Sequence, residues 1–137
     1  MGTVYEEITL KNAIDVGNAK RGYIKPEEVR AITVRAIVDT GAITLVINEG
    51  LRQQLGLEVE KTSEATLGND TKAVCKLTEP VTVHWKDRSA SCQALVASEN
   101  GETLLGAIPL EGLDLVVNPV DQKLTGAHGD EVLYLLL

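Results

Sequence analysis

Ala36-Ile37-Val38-Asp39-Thr40-Gly41-Ala42 decides the reading of this chain. An apolar, β-branched run delivers an acid into a tight glycine turn, and the chain becomes apolar again over Ile43 to Ile47. An acid between two apolar runs is partly desolvated, and partial desolvation is what turns an ordinary carboxylate into a reactive one. The tripeptide Asp-Thr-Gly occurs once. If one such loop supplies one carboxylate and the chemistry needs two, two chains must assemble the site. A turn-capping Asp without chemistry is the competing reading, because Asp and Gly are common turn residues.

Outward from this loop, Ala31 to Val38 has strand composition. Asn48 to Leu55 reads as the best helix: Asn48 suits the N-cap, Glu49 the first turn and Gly56 the C′ position. Thr3 to Leu10 is a strand candidate, whereas Asn12 to Arg30, with Gly17, Gly22 and Pro26, reads as an irregular excursion. Ser63 to Lys76 carries a turn signal at Gly68-Asn69-Asp70 between two strand-like arms. Val81, Val83 and Trp85 alternate with polar residues and so share one face. Lys86-Asp87-Arg88 is a hairpin turn leading into Cys92 to Ala97. Leu104-Leu105-Gly106 ends a buried strand, and a short helix begins near Pro109. Leu113 to Val117 and Val132 to Leu137 are the last strand candidates. Close-spaced short strands with one good helix predict an all-β barrel or sandwich-like fold.

The chain has 137 residues, enough for one domain with its own core, and residues 1-137 are taken as that domain. Hydrophobic residues make up 44% and charged residues 24%, which describes a soluble globular protein. With no Phe and one Trp, Trp85, the core must be aliphatic. A net charge of −7 argues against nucleic acid as a partner. Cys75 and Cys92 read as two reduced, packed thiols rather than a disulfide. No segment is long and apolar enough for a membrane span, so the expected location is cytoplasmic. His84 and His128 fall in no ligand-spaced cluster, so neither a metal nor a cofactor is expected.

The strand-like Ile37-Val38, the Asp39-Thr40-Gly41-Ala42 loop, the helix ending Leu55-Gly56-Leu57, the downstream Leu104-Leu105-Gly106-Ala107-Ile108-Pro109-Leu110-Glu111 and Val116-Val117-Asn118-Pro119 together resemble the retropepsin-like (retroviral-type) aspartic proteases. The likeness is greatest to small single-domain cellular members and covers roughly residues 31 to 120. It implies a single-domain acid-protease barrel with one or two short helices, a homodimer, and a peptide or protein substrate. It implies that Asp39 is the catalytic acid, paired with Asp39 of a second subunit, and that the Thr40 hydroxyl bonds across the dimer. Gly41 would let backbone approach the substrate, with Gly41 and Ala42 contacting it. The hairpin tip at Leu67, Gly68 and Asn69 would be a mobile flap over the bound peptide. The apolar Val132 to Leu137 tail is a candidate intersubunit strand.

Two departures stand out. Viral members often pair an Asp just after the Ala with an Arg just after the second Gly, and here those places hold Ile43 and Ala107. Both charges are missing together, so none is left buried and unpaired. Two-lobed relatives carry Ser or Thr where Ala42 stands, and the absent hydroxyl implies an activity optimum nearer neutral. Two functions follow: an aspartic endopeptidase, or a non-catalytic dimerisation or peptide-binding module on the same fold.

Overall fold

The computed structural model describes residues 3–66, 72–97, 101–118 and 120–128. The chain opens with β1 (Tyr5–Asn12), then α1 (Ala13–Lys20), a 3-10 turn at Pro26–Glu28, β2 (Ala31–Val38), β3 (Leu45–Asn48) and α2 (Glu49–Gln54). The strands β4 (Val59–Thr66), β5 (Lys72–Thr78), β6 (Val81–Trp85), β7 (Arg88–Cys92) and β8 (Ala94–Ala97) follow. The last elements are β9 (Leu104–Leu105), α3 (Ala107–Gly112), β10 (Leu115–Asn118) and β11 (Lys123–Gly126). Nine strands form one sheet in the order β4-β5-β8-β3-β9-β2-β1-β6-β7, and β10 pairs with β11 separately.

The mostly β architecture agrees with the sequence, but the ladder does not close among the described residues. Its ends are β4 and β7, so the expected barrel appears as an open sheet. Among the described residues β7, the last strand of this ladder, pairs with β6 and packs against α3. A methyl on Gly112 of α3 would stand 2.8 Å from the Ala90 side chain. Arg88, buried, donates from Nη1 to the carbonyls of Leu113 at 3.0 Å and Asp114 at 2.9 Å.

The core is aliphatic, as expected: Ile8, Leu10, Leu45, Ile47, Leu55, Leu57, Val81, Val83, Leu105 and Leu113 are all at most 1% exposed. Each such side chain contributes about 1.5–3 kcal/mol by leaving water. Val81, Val83 and Trp85 lie buried in β6, and the Trp85 indole donates to Glu6 at 3.0 Å.

The segment read as an excursion is ordered instead. Asn12 accepts from the Asp15 amide at 3.1 Å, capping α1, while its Nδ2 donates to the Leu55 carbonyl at 2.9 Å. One buried side chain thus starts α1 and ties it to the end of α2. Asp15 in turn pairs with Arg30 through both carboxylate oxygens, at 2.8 and 2.9 Å. The helix after Asn48 forms as expected, with the Asn48 side chain accepting from the Leu51 amide at 2.8 Å. Gly56 follows it at φ +64, beneath the Arg30 guanidinium. A second shift concerns β7: Trp85 pairs with Arg88, so the turn is Lys86-Asp87 and the returning strand is Arg88–Cys92. β8 then runs parallel to β3 as a separate element. The short helix begins at Ala107, two residues before Pro109. The candidate strand Val132 to Leu137 lies outside the described residues.

Candidate active site

β2 carries Asp39 into the middle of the sheet. It lies antiparallel to β1 on one side and parallel to β9 on the other, with Ile37 opposite Leu104 and Val38 opposite Leu105. The Asp39 amide continues this ladder, donating to the Leu105 carbonyl at 3.0 Å. The chain then turns, with the Ala42 amide donating to the Asp39 carbonyl at 3.1 Å, and returns as β3. β3 pairs with the other side of β9 through Val46 and Leu104. The two-residue strand β9 therefore sits inside the loop that carries the acid.

Gly106 makes that arrangement possible. A Cβ there would stand 2.3 Å from the Thr44 carbonyl oxygen and 2.6 Å from that of Ala42. With no Cβ, the backbone comes close enough for Ala107 N to donate to the Ala42 carbonyl at 2.8 Å and Ile108 N to that of Ile43 at 2.9 Å. The loop is thus clipped from below by α3's first residues. Leu105, fully buried, packs beneath it.

The Asp39 side chain is half-buried, and its Oδ1 accepts from the Gly41 amide at 2.9 Å. Thr40 and Gly41 are exposed, and Ala42 is half-buried. Asp39 and Thr40 line a cleft of about 730 Å³. Its other walls come from Val4, Ile37, Val38, Leu110, Leu115 and Val117, with Glu111 and Gln122 as polar members. The N-terminal segment reaches it because Val38 N donates to the Val4 carbonyl at 2.9 Å.

The structure brings Asp39, Thr40, Gly41 and Ala42 together on one turn. Leu67, Gly68 and Asn69 lie outside the described residues; the arms leading to them, β4 and β5, are paired from Val59–Thr78 to Thr66–Lys72. Sequence reasoning gave no role to Val4, Leu110, Glu111 or Gln122, which reach the cleft from both ends of the chain. Glu111, on α3 and four residues past Ala107, was the detectable one, since the second glycine motif places that helix under the loop.

Cys75 and Cys92 are free thiols, both half-buried. His84 is half-buried on β6, its Nε2 lacks a hydrogen-bond partner among the described residues, and burial together with Lys11 lowers its pKa. His128 is exposed, with Nδ1 2.5 Å from Asp114 Oδ1. Among the described residues no three His, Cys, Asp or Glu side chains group as metal ligands, and no helix is long and apolar enough to cross a membrane.

Comparison with known proteins agrees with this geometry. No curated protein matches the chain by sequence. Among solved structures, the crystal structure of the retroviral protease-like domain of Ddi1 from Leishmania major has a similar fold. The TM-score is 0.56 over 91% of this chain and 88% of that one, at 14% identity. The family model described as aspartyl protease matches residues 27–126, a span that holds the Asp39 loop, the β9 clip and α3. The chain belongs to the aspartyl protease family, in its retropepsin-like form.

Proposed function

We propose that this protein is an aspartic endopeptidase whose catalytic dyad is Asp39 from each of two subunits. The observation that carries the reading is the placement of Asp39: held by β9 and by Gly41 N, on a turn whose remaining residues are exposed or half-buried, at the wall of a large cleft. A chain with one such loop provides half a dyad. Two carboxylates about 3 Å apart share one proton, as is well established for aspartic proteases. The ionised member takes a proton from a water held between them, and that water's oxygen bonds to the scissile carbonyl carbon. The protonated member gives its proton to the carbonyl oxygen. The tetrahedral adduct collapses, the C–N bond breaks, and the amide nitrogen leaves with a proton from the dyad.

In this reading the Thr40 hydroxyl bonds to the opposite loop, and the exposure of Thr40 beside Asp39 supports it. On the same reading Gly41 and Ala42 offer close-approach backbone to the peptide, and Leu67, Gly68 and Asn69, which follow β4 in sequence, serve as its lid. The apolar cleft under Asp39, with Val116 48% exposed on the neighbouring β10, suits packing of the second copy.

Asp39→Asn tests the chemistry. An Asn Oδ1 still accepts from Gly41 N, so the fold is expected to persist while cleavage of a denatured protein mixture falls by roughly 10²–10⁴-fold or more. Cleavage that survives the substitution removes the reading. A folded wild-type protein that cleaves nothing at any pH leaves a peptide-binding or dimerisation module instead.

A further inference from the structure

The stretch Asn18-Ala19-Lys20-Arg21-Gly22-Tyr23-Ile24-Lys25 carries three cations and no acid, in a chain whose net charge is −7. It is the turn that ends α1, and its backbone is fixed. The Gly22 amide donates to the Ala19 carbonyl at 3.1 Å and the Tyr23 amide to the Asn18 carbonyl at 2.8 Å, with Gly22 at φ +79. These two bonds make a Schellman motif, in which the residue after the glycine frequently packs back on the helix. Tyr23 does not: it is 74% exposed. A ring left in water on a fixed backbone is an anchor that lacks its partner.

The cations beside it are uncommitted. Lys20, Arg21 and Lys25 are exposed, and among the described residues their side chains have no hydrogen-bond or ion-pair partner. The acids that flank the turn are engaged elsewhere. Asp15 is taken by Arg30 through both oxygens, and Glu28 Oε1 accepts from the Lys25 backbone amide at 2.9 Å. In the adjoining 3-10 turn that leaves Glu27. Lys20 and Arg21 also suit the C-terminal end of a helix, but Lys25 and Tyr23, beyond the glycine, gain nothing there. Ile14, 46% exposed, stands seven residues before Arg21 and so on the same face of α1. Between them lies open surface, since a methyl on Gly17 would meet nothing within 4 Å.

The turn is remote from Asp39. α1 follows β1 at the end where Lys11 pairs with Ala31, whereas Asp39 follows β2 beyond the pair of Tyr5 with Ile37. Six residues separate those pairs, about 20 Å along the strands. An occupant of the turn therefore leaves the cleft open. The residues matched by the aspartyl protease family begin at 27, after the turn. Charge decides what the occupant is. An extended polyanion, such as a membrane or a nucleic acid, lies against the rest of a negative molecule as well as the turn. A short acidic segment meets the turn alone, because charges more than about 8 Å away are largely screened at physiological salt. Arg21 can hold a carboxylate by two parallel bonds, and Tyr23 can pack on an apolar neighbour of that carboxylate.

We propose that the turn at residues 20–25 docks an acidic segment of another protein, one in which carboxylates flank an apolar side chain. The inference does not depend on the chemistry at Asp39. Fluorescent decapeptide pools rich in Asp and Glu around one Leu or Tyr are titrated with the full chain, beside matched pools carrying Asn and Gln in place of the acids. The expected result is binding of the acidic pool alone, equal in Asp39→Asn, and weakened about tenfold or more between about 50 and 500 mM salt. Combined Lys20→Glu, Arg21→Glu and Lys25→Glu should abolish it, and Tyr23→Ser should weaken it about tenfold. These side chains are exposed and unbonded, so the variants are expected to keep the wild-type Tm; the milder Gln set at the same three positions gives the same loss if charge reversal disturbs the fold. No binding of the acidic pool, binding that survives both triple variants, or binding lost in Asp39→Asn overturns the proposal. So does tighter binding of phosphatidylserine vesicles or a single-stranded oligonucleotide through the same residues, which would give the turn to a polyanion instead.

Discussion

Replacing Gly106 by Ala is the sharpest single test of how the Asp39 loop is held. An added Cβ meets two backbone oxygens, at 2.3 Å from Thr44 and 2.6 Å from Ala42, where ordinary contact begins near 3.4 Å. Neither obstacle is a side-chain end that can swing away, so the strand between them must retreat by about 1 Å. That retreat stretches the Ala107–Ala42 and Ile108–Ile43 bonds, now 2.8 and 2.9 Å. Overpacking of this kind costs about 1–3 kcal/mol. For a domain of this size that corresponds to a fall in Tm of roughly 3–15 °C. The second effect is on chemistry: a displacement near 1 Å of a reacting group costs on the order of 10²-fold in rate. Thermal unfolding measures the first effect and steady-state cleavage the second. Gly17→Ala is the control, because Gly17 lies inside α1 and a methyl added there would meet nothing within 4 Å. It is expected to stabilise by about 0.5–1 kcal/mol. A Gly106→Ala protein with unchanged Tm and unchanged cleavage would refute the idea that contact with β9 and α3 positions the acid.

Asp15→Asn probes the pair that ties α1 to the rest. The hydrogen bond from Arg30 holds the Asp15 carboxyl below the ordinary carboxylate range. A depressed folded value means the stabilisation is present above the unfolded pKa, near 4, and is lost as pH falls through the folded one. With Arg30 half in water the expected loss at neutral pH is about 1–2 kcal/mol. Urea denaturation of both proteins should therefore converge at acid pH; a constant gap from pH 7 to below 3 would show the effect is not electrostatic. Val116→Lys places a charge in the wall of the cleft, and in the proposed homodimer should shift sedimentation from dimer to monomer with Tm changed by little. An unaltered dimer would move the interface elsewhere.

What could be read from the residues was the local chemistry. Asn48 before Glu49, Gly56 after Leu55 and the β-branched approach to Asp39 are signals carried by neighbours, and the structure realises them. α1 escaped because its start depends on Asn12, whose side chain is held by carbonyls at Leu55 and Gly56, far along the chain. With Gly17 inside it, little in the segment itself announces a helix. β9 is two residues long, and only its place between β2 and β3 shows why Leu104-Leu105 matters. The barrel-or-sandwich expectation came from strand spacing, which says nothing of strand order; among the described residues the ladder ends at β4 and β7. Asp39 and its turn were legible; the cleft was not, because Val4 and Gln122 approach it from opposite ends of the sequence.

The way the site is built bears on how it can be switched. Asp39 is fixed entirely by its own chain, through β9, Gly41 and the first residues of α3. The aliphatic core lies around these elements and needs no second copy to be buried. Under the proposed dyad, a subunit of this kind holds its acid oriented while alone, and assembly would supply the second carboxylate rather than reorganise the first. Little of the association free energy is then consumed in ordering the loop, and a modest contact through the apolar cleft suffices. In the proposed homodimer, association rather than folding would then be the step that turns chemistry on, and protein concentration the natural control on such a half-site.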